Sequence, residues 1–231
     1  MISCGLTGPV LRLCDVSRVY PGNPPVNALY DVTFEVGLRE SVAIVGPSGS
    51  GKTTMLSIMG LLDDPTSGEV WISGVSAAQL SGARRSQLRS TSIGFVFQDF
   101  RLLPTLSAME NVELGMLYQG YRRRVRSEFA ARALDVVGLS KRRNHLPAEL
   151  SGGEQQRVAI ARALAGGPAI ILADEPTGAL DQATGMNIVD LILDLASQNG
   201  TAIVLITHDL SVAASCSRRV SLLDGMVCDS R

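Results

Sequence analysis

Short apolar runs alternate with segments of helical periodicity along most of the chain. The apolar runs predict strands whose two faces are both covered, and they lie at residues 41–45, 93–97, 169–173, 202–207 and 220–223. Apolar positions three or four residues apart predict two helices, the first marked by Val158, Ala161 and Ala165 and the second by Ile188, Leu191, Ile192 and Leu195. This alternation predicts an α/β fold with a mostly parallel sheet.

Two stretches depart from that alternation. Residues 11–19 and 32–36 alternate apolar and polar side chains, which is typical of half-buried strands, and a loop rich in proline at residues 21–25 separates them. Residues 81–148 are arginine-rich and mostly helical in pattern, so they are predicted to form an insertion. We therefore expect a single domain over residues 1–231, with a core formed by residues 1–80 and 149–231 and a helical subdomain formed by residues 81–148.

The composition is that of an ordinary globular protein. The 231 residues are 45% hydrophobic with a net charge of −1, so no nucleic-acid partner is expected, and the locally basic residues 84–149 are interpreted as a solvated helical face. No apolar run approaches the roughly 18 residues of a membrane span, and residues 1–9 lack the features of a secretion signal. The cysteines form no C-x-x-C pair and are expected to be reduced thiols: Cys4, Cys14, Cys216 and Cys228. The chain is therefore expected to be cytoplasmic, with any membrane role exerted through a partner.

A glycine-rich segment between a predicted strand and a predicted helix is the first candidate site. It matches the pattern G-x-x-x-x-G-K-[ST] and comprises Gly46, Pro47, Ser48, Gly49, Ser50, Gly51, Lys52 and Thr53, followed by Thr54. Such a loop turns its backbone N–H groups, and the positive end of the following helix, toward phosphates. Lys52 is predicted to reach the β- and γ-phosphates, and Thr53 to ligate Mg²⁺. A chance glycine turn is the alternative, which the strand and helix context disfavours.

A second candidate site ends the apolar run at residues 169–173. Asp174 and Glu175 follow this run, at the edge of the sheet where α/β folds bind ligands. Asp174 can hold Mg²⁺ directly or through water, and Glu175 can accept a proton from an attacking water. A strand that ends in a polar turn would explain the two carboxylates alone, but not their combination with a phosphate loop.

A third motif connects these sites with a known family. It reads Leu150-Ser151-Gly152-Gly153-Glu154-Gln155-Gln156-Arg157, and a serine and two glycines that open a helix suit a second anion site. The string resembles the signature sequence of ABC-type ATPases, the nucleotide-binding subunits of ATP-binding cassette systems. The resemblance implies a RecA-like sheet with an antiparallel β subdomain and an inserted helical subdomain. It also implies that Ser151, Gly152 and Gly153 cap the γ-phosphate of ATP held by an opposite subunit, so that two subunits form two composite sites.

Four single residues match further positions of that family. Gln98 resembles the glutamine that contacts Mg²⁺ and the attacking water, and His208 resembles the switch histidine that contacts the γ-phosphate. Tyr20 resembles the aromatic residue that stacks on adenine, and Asp181 resembles the loop aspartate that touches the partner subunit. Taken alone, each has an ordinary structural explanation, such as a capping amide or a strand-edge tyrosine. The resemblance therefore implies a catalytic set of Lys52, Gln98, Glu175 and His208, and magnesium ligands from Thr53, Gln98 and Asp174.

The flanking sequence resembles one branch of the family. Residues 97–104 and 110–112 are similar to lipoprotein-release, macrolide-export and cell-division ATPases, although Val75 stands where that branch commonly has an acidic residue. The resemblance implies an ATPase that forms a homodimer around two MgATP and drives conformational change in transmembrane permease subunits, at the cytoplasmic face of the membrane. Three alternatives stay open: an ATPase of a division or signalling complex that transports nothing, a soluble ABC-type ATPase acting on ribosomes or DNA, and an inactive nucleotide-binding scaffold.

Overall fold

The computed structural model describes residues 8–229, so Cys4 and most of the segment assessed for a secretion signal lie outside the described residues. Within that range the strands are β1 (Leu11–Tyr20), β2 (Val26–Val36), β3 (Ser41–Val45), β4 (Ser67–Ile72), β5 (Val75–Ser76), β6 (Ile93–Phe97), β7 (Ile170–Asp174), β8 (Ala202–Ile206), β9 (Arg218–Leu223) and β10 (Met226–Asp229). The helices are α1 (Lys52–Met59), α2 (Gly82–Ser92), α3 (Ala108–Leu114), α4 (Arg123–Val136), α5 (Gly152–Leu164), α6 (Gln182–Asn199) and α7 (Leu210–Ala214).

The strands form two sheets. The larger has the order β10-β9-β3-β8-β7-β6, in which every neighbouring pair is parallel except the β9–β10 hairpin. The smaller has the order β2-β1-β4-β5 and is antiparallel throughout. The fold is therefore a mostly parallel α/β core with an antiparallel β subdomain, which confirms the predicted fold class.

Both faces of the parallel sheet are buried, because its strands consist almost entirely of apolar residues. Ile170 and Leu172 of β7 pack on one side, in a core shared with α1 and the antiparallel sheet. Ile171 and Ala173 point to the other side, in a second core that includes side chains of α3, α4, α5 and α6. The alternation of consecutive side chains between two cores follows from the period of two in a strand. Because both faces of the parallel sheet are packed, the positions of its strand ends are fixed. The candidate residues lie at the carboxyl ends of these strands.

The predicted elements agree with the observed ones most closely in the parallel sheet. The predicted strands at 41–45 and 93–97 coincide with β3 and β6. The strand predicted at 169–173 differs from β7 by one residue at each end, and those predicted at 202–207 and 220–223 differ from β8 and β9 by one and two residues at a single end. The strand predicted at 32–36 is only the second half of β2, because the first half is largely exposed. Strands β4, β5 and β10 were not predicted from the sequence.

The segment predicted as a helical insertion contains a strand of the main sheet. Strand β6 lies within residues 81–148, yet it pairs along its whole length with β7. Helix α2 leads directly into this strand. Residues 93–97 therefore belong with the parallel sheet, and the predominantly helical part of the insertion begins after them, where α3 and α4 pack against α5.

The helices and the cysteines of residues 8–229 can be compared with the expectations from composition. None of the helices in that range combines the length and the hydropathy of a bilayer-spanning segment. Cys14, Cys216 and Cys228 are free thiols, as predicted. Burial raises the pKa of the Cys216 thiol to about 11, which keeps it protonated and unreactive at neutral pH.

Candidate active site

Four neighbouring strands deliver the candidate residues to one edge of the parallel sheet. Strand β3 ends at the glycine-rich loop, β6 ends just before Gln98, β7 ends at Asp174, and β8 ends two residues before His208. Phe97 is in register with Asp174, and Asp174 with Ile206, so these ends lie side by side. The outcome is a cleft of about 540 Å³, lined by Tyr20, Gly46, Ser48, Gly49, Gly51, Lys52, Thr53, Thr54, Asp174, Glu175 and His208 among others.

The glycine-rich loop joins β3 to α1 as predicted, and its glycines are required by close contacts. Gly51 has φ 100° and precedes α1, and a Cβ there would collide with the carbonyl oxygen of Ala28. A Cβ on Gly46 would collide with the carbonyl oxygen of Leu222. A left-handed φ and a close backbone approach both demand glycine. The two glycines therefore allow the close turn from β3 into α1, and the free N–H groups at the start of that helix lie at the cleft.

Lys52 lies across the glycine-rich loop. Its Nζ donates hydrogen bonds to the carbonyl oxygens of Gly46 and Pro47, at 2.8 and 2.7 Å. Both acceptors belong to the loop itself, so the ammonium group lies folded over the loop. Two of the predicted loop residues, Pro47 and Ser50, do not line the cleft. Ser50 is buried.

Asp174 and Glu175 place two carboxylates next to each other at the end of β7. The pKa of Asp174 is raised, first because the carboxyl is partly buried and second because the negative charge of Glu175 repels its ionised form. Arg101 and Lys52 oppose this shift through their positive charge. A cation bound beside Asp174 would offset both causes of the shift, since it favours the ionised carboxylate. The neighbouring carboxylates of Asp174 and Glu175 could therefore hold a metal ion or another cation.

Glu175 is held by His208. Its Oε1 accepts hydrogen bonds from the backbone N of His208 at 3.1 Å and from Nδ1 of the ring at 2.7 Å. The pKa of His208 is raised, chiefly because of the hydrogen bond to Glu175 and then because of its charge. The His208 side chain is 77% exposed, so Nε2 stays free to meet a ligand while Nδ1 is engaged. Glu175 itself has φ 44°, an uncommon conformation for a residue with a side chain.

Gln98 is adjacent to these residues but does not line the cleft. It is exposed, one residue beyond β6, and its side chain lies over Gly178, where a Cβ would be 2.8 Å from the Gln98 amide carbon. The structure therefore brings Lys52, Thr53, Asp174, Glu175 and His208 into one cleft and leaves the Gln98 amide at its side.

The segment at residues 151–153 lies apart from the cleft. Ser151 caps α5 in a capping box with Glu154, whose carboxylate accepts from the backbone N of Ser151 at 2.9 Å. Neither Ser151 nor the glycines after it line the cleft. Asp181 caps α6 by accepting from the backbone N of Thr184 at 3.0 Å, and it also lies outside the cleft. Hydrogen bonds from the side chain and then from the backbone of Thr184 lower the pKa of Asp181. In a single chain, the second predicted anion site is thus apart from the first.

Gln156 is a site residue to which the sequence analysis gave no role. It is fully buried in α5, and its Nε2 donates to the carbonyl oxygen of Pro176 at 2.6 Å and to that of Phe97 at 3.4 Å. It therefore connects the signature helix to the turn after Glu175 and to the strand before Gln98. A polar residue among the apolar positions of α5 was the only available signal in the sequence.

The chain is similar to several known proteins. Residues 29–178 match the protein family described as ABC transporter. The chain is 47% identical over 221 residues to the lipoprotein-releasing system ATP-binding protein LolD of Bordetella pertussis, covering 95% of each protein. It is 48% identical over 219 residues to an uncharacterised ABC transporter ATP-binding protein of Thermotoga maritima, covering 94% of this chain and 93% of that protein.

A solved structure resembles the whole fold. It is a dimeric ATP-binding cassette in a post-hydrolysis state, bound to ADP and Pi. The TM-score is 0.86 at 43% sequence identity, and the match covers 96% of this chain and 99% of the cassette.

Proposed function

Because the chain belongs to the ABC transporter family as an ATP-binding protein, we propose that it hydrolyses MgATP between two copies of itself and thereby drives transmembrane partner subunits. ATPase activity is the property that the family as a whole implies. The coupling to transport, the identity of the catalytic residues, the metal and the partners are the parts that we propose.

One observation carries this proposal. The cleft gathers the phosphate loop, Asp174, Glu175 and His208, while the signature segment opens α5 outside it. A γ-phosphate bound at Lys52 would then face solvent on one side, and a second chain can cover that side with its own Ser151–Gly153 segment. The dimeric state of the related cassette supports this arrangement. We propose that Asp181 lies at the same interface.

The residues at the cleft suit Mg²⁺. Thr53 offers a hydroxyl oxygen, Asp174 a carboxylate and Gln98 an amide oxygen, and Mg²⁺ prefers oxygen ligands of these kinds. No group of three His, Cys, Asp or Glu side chains able to hold a metal occurs in residues 8–229. A cation here would therefore take several of its ligands from phosphate oxygens, as Mg²⁺ does at nucleotide sites. When bound, Mg²⁺ neutralises charge on the phosphates.

The protein side chains divide the remaining chemistry. We propose that Lys52 leaves the carbonyl oxygens of the loop to bind phosphate oxygens, since an anion is a stronger partner for an ammonium group than a carbonyl is. Glu175 accepts a proton from the attacking water, and His208 orients Glu175 through Nδ1 while its free Nε2 faces the γ-phosphate. The backbone N–H groups of Gly152 and Gly153 from the other chain stabilise the negative charge that develops.

A second groove is proposed as the contact with the membrane partner. It has a volume of about 410 Å³ and lies between the end of β6 and the helices that follow. Its floor contains Phe95 and Phe97, whose rings stack 5.7 Å apart, and three arginines line it without any carboxylate, namely Arg89, Arg101 and Arg162. A helix that carries both apolar and acidic side chains, on the cytoplasmic side of a permease subunit, would fit this groove. We propose that α3, α4 and the start of α5 form the subdomain that transmits the motion, and that the chain is peripheral to the cytoplasmic face of the membrane.

Co-purification from detergent-solubilised membranes tests whether the chain binds a transmembrane partner through this groove. Leu103→Asp introduces a carboxylate into the groove, at a residue that is 49% exposed. Leu117→Asp introduces the same change at a residue that is 42% exposed and does not line the groove. After both variants are checked for ATP binding, we expect only Leu103→Asp to lose the membrane partner. Equal recovery of the partner by both variants would contradict the groove assignment. Co-sedimentation with ribosomes would instead support the soluble alternative.

A further inference from the structure

Tyr20 is anchored by two residues that lie outside the nucleotide cleft. Its hydroxyl donates a hydrogen bond to Oδ2 of Asp63 at 2.9 Å. The guanidinium of Arg18 lies 4.5 Å from the centre of the Tyr20 ring, and the same group donates to Oδ1 of Asp63 at 2.8 Å. Tyr20 lines the cleft, whereas Arg18 and Asp63 do not. The three side chains thus form a closed triangle with only the tyrosine at the cleft.

Asp63 connects this triangle to the phosphate loop. The backbone N of Asp63 donates to the carbonyl oxygen of Ser57 in α1 at 3.3 Å, so Asp63 is fixed to the end of that helix. Helix α1 begins at Lys52, inside the phosphate loop. Tyr20 ends β1, which belongs to the antiparallel sheet and is distant in sequence. The contact with Asp63 therefore fixes the ring relative to the helix whose start binds phosphate.

Arg18 covers one face of the Tyr20 ring and leaves the other face free. A guanidinium over one face of a tyrosine is a favourable cation–π contact. The Arg18 and Asp63 side chains are only 21% and 29% exposed, so both groups are partly shielded from water and hold each other in place. A flat ligand can then stack only on the opposite face.

We propose that Asp63 and Arg18 are positioning residues for the nucleotide base: they hold Tyr20 so that its free face stacks on a purine while the phosphates occupy the loop at the start of α1. The inference rests on the proposed ATP-binding function, with Tyr20 stacking on the base as the family resemblance implies. An ordered ring loses less conformational freedom when a base binds, so the two residues raise affinity without touching the ligand.

Binding of ATP and of inorganic tripolyphosphate, both with Mg²⁺, tests the proposal, because only ATP carries a base. Asp63→Asn keeps the shape of the side chain but removes its charge. We expect it to raise the Kd of ATP about three- to tenfold, the range of one aromatic stacking contact, and to leave the Kd of tripolyphosphate unchanged. The kcat at saturating ATP should also stay unchanged. Asp64→Asn is the matched control, since Asp64 contacts Arg85 and not Tyr20, and it should alter neither Kd.

Two further variants separate positioning from a general structural role. Tyr20→Phe keeps the ring and the Arg18–Asp63 ion pair but removes the hydrogen bond, and it should raise the Kd of ATP by a smaller factor. In a Tyr20→Ala background, Asp63→Asn should have no further effect on the Kd of ATP, because the residue through which it acts is gone.

An Asp63→Asn variant that binds ATP as well as the wild type overturns the inference. So does one that weakens ATP and tripolyphosphate equally, or one whose effect persists in the Tyr20→Ala background. These readouts compare binding constants, whereas the proposed ATPase is read from phosphate release by the wild type. Failure of either proposal can therefore be recognised without the other.

Discussion

Replacing Glu175 by glutamine isolates the proposed proton acceptor from its structural surroundings. Oε1 of Glu175 accepts two hydrogen bonds from His208, at 3.1 Å from the backbone N and 2.7 Å from Nδ1. A glutamine amide oxygen has the same reach and can accept both bonds, so the turn after β7 should keep its conformation. The amide has no useful basicity, however. Loss of a general base typically lowers turnover by about 10²- to 10⁴-fold, which corresponds to about 3–5 kcal/mol in the activation free energy.

The same substitution should not weaken nucleotide binding. The negative charge of Glu175 is one cause of the raised pKa of Asp174, so its removal leaves less repulsion against a polyanionic ligand at this edge of the sheet. We therefore expect an ATP Kd equal to or below that of the wild type. Since ATP then persists in the site, the variant should accumulate as an ATP-bound dimer.

Steady-state phosphate release, equilibrium ATP binding and light scattering after size-exclusion chromatography measure the three expected outcomes. Glu175→Asp is the matched control, because it keeps a carboxylate but withdraws it by one methylene group, and an intermediate loss of turnover is expected. Hydrolysis by Glu175→Gln at a rate within about twofold of the wild type would refute the assignment of Glu175 as the base.

Three other predictions follow from the same site. Lys52→Ala removes an ammonium that forms charge-assisted hydrogen bonds of about 1.5–3 kcal/mol, so calorimetry should show an ATP Kd raised at least tenfold, and an unchanged Kd would count against the phosphate loop. Gly51→Ala forces a side chain into φ 100° and against the Ala28 carbonyl, so scanning fluorimetry should show a lower Tm together with lost ATP binding; wild-type values would contradict the close contact. The raised pKa of His208 should fall toward its ordinary value of 6.5 in Glu175→Gln, as followed by NMR titration. The stabilisation of the fold by the contact between His208 and Glu175 is therefore complete below pH 6.5 and is lost as the pH rises through the raised pKa. A His208 pKa that is the same in Glu175→Gln as in the wild type would contradict this account.

The sequence predicted the parallel sheet better than the antiparallel one. Strands β3 and β6 are short apolar runs bounded by polar residues, and their predicted bounds are correct to the residue. Strand β4 was missed because its first three residues are exposed and its partner β1 lies about 55 residues earlier in the chain. The pairing of β6 with β7 was not foreseen in the domain bounds either. Which distant strands pair depends on tertiary packing, and local periodicity does not encode it.

The candidate site divides in the same way. Contiguous motifs identified the glycine-rich loop, Asp174 and Glu175 as candidates, because the geometry of a strand, its loop and the next helix is local. The hydrogen bond from Tyr20 to Asp63 and that from Gln156 to Pro176 join residues on separate elements. A single polar residue does not reveal its distant partner in a sequence, so the residues that support the site emerged only from the three-dimensional structure.

Mixing two inactive variants tests most directly whether each site is shared between two chains. Lys52→Ala disables the phosphate loop, and Ser151→Asp keeps the helix cap while it places a negative charge where the γ-phosphate of the other chain would lie. A dimer of one chain of each kind has one intact composite site. We predict that the mixture hydrolyses ATP faster than either variant alone, up to about a quarter of the wild-type rate for random pairing. A mixture no more active than its components would contradict the shared site.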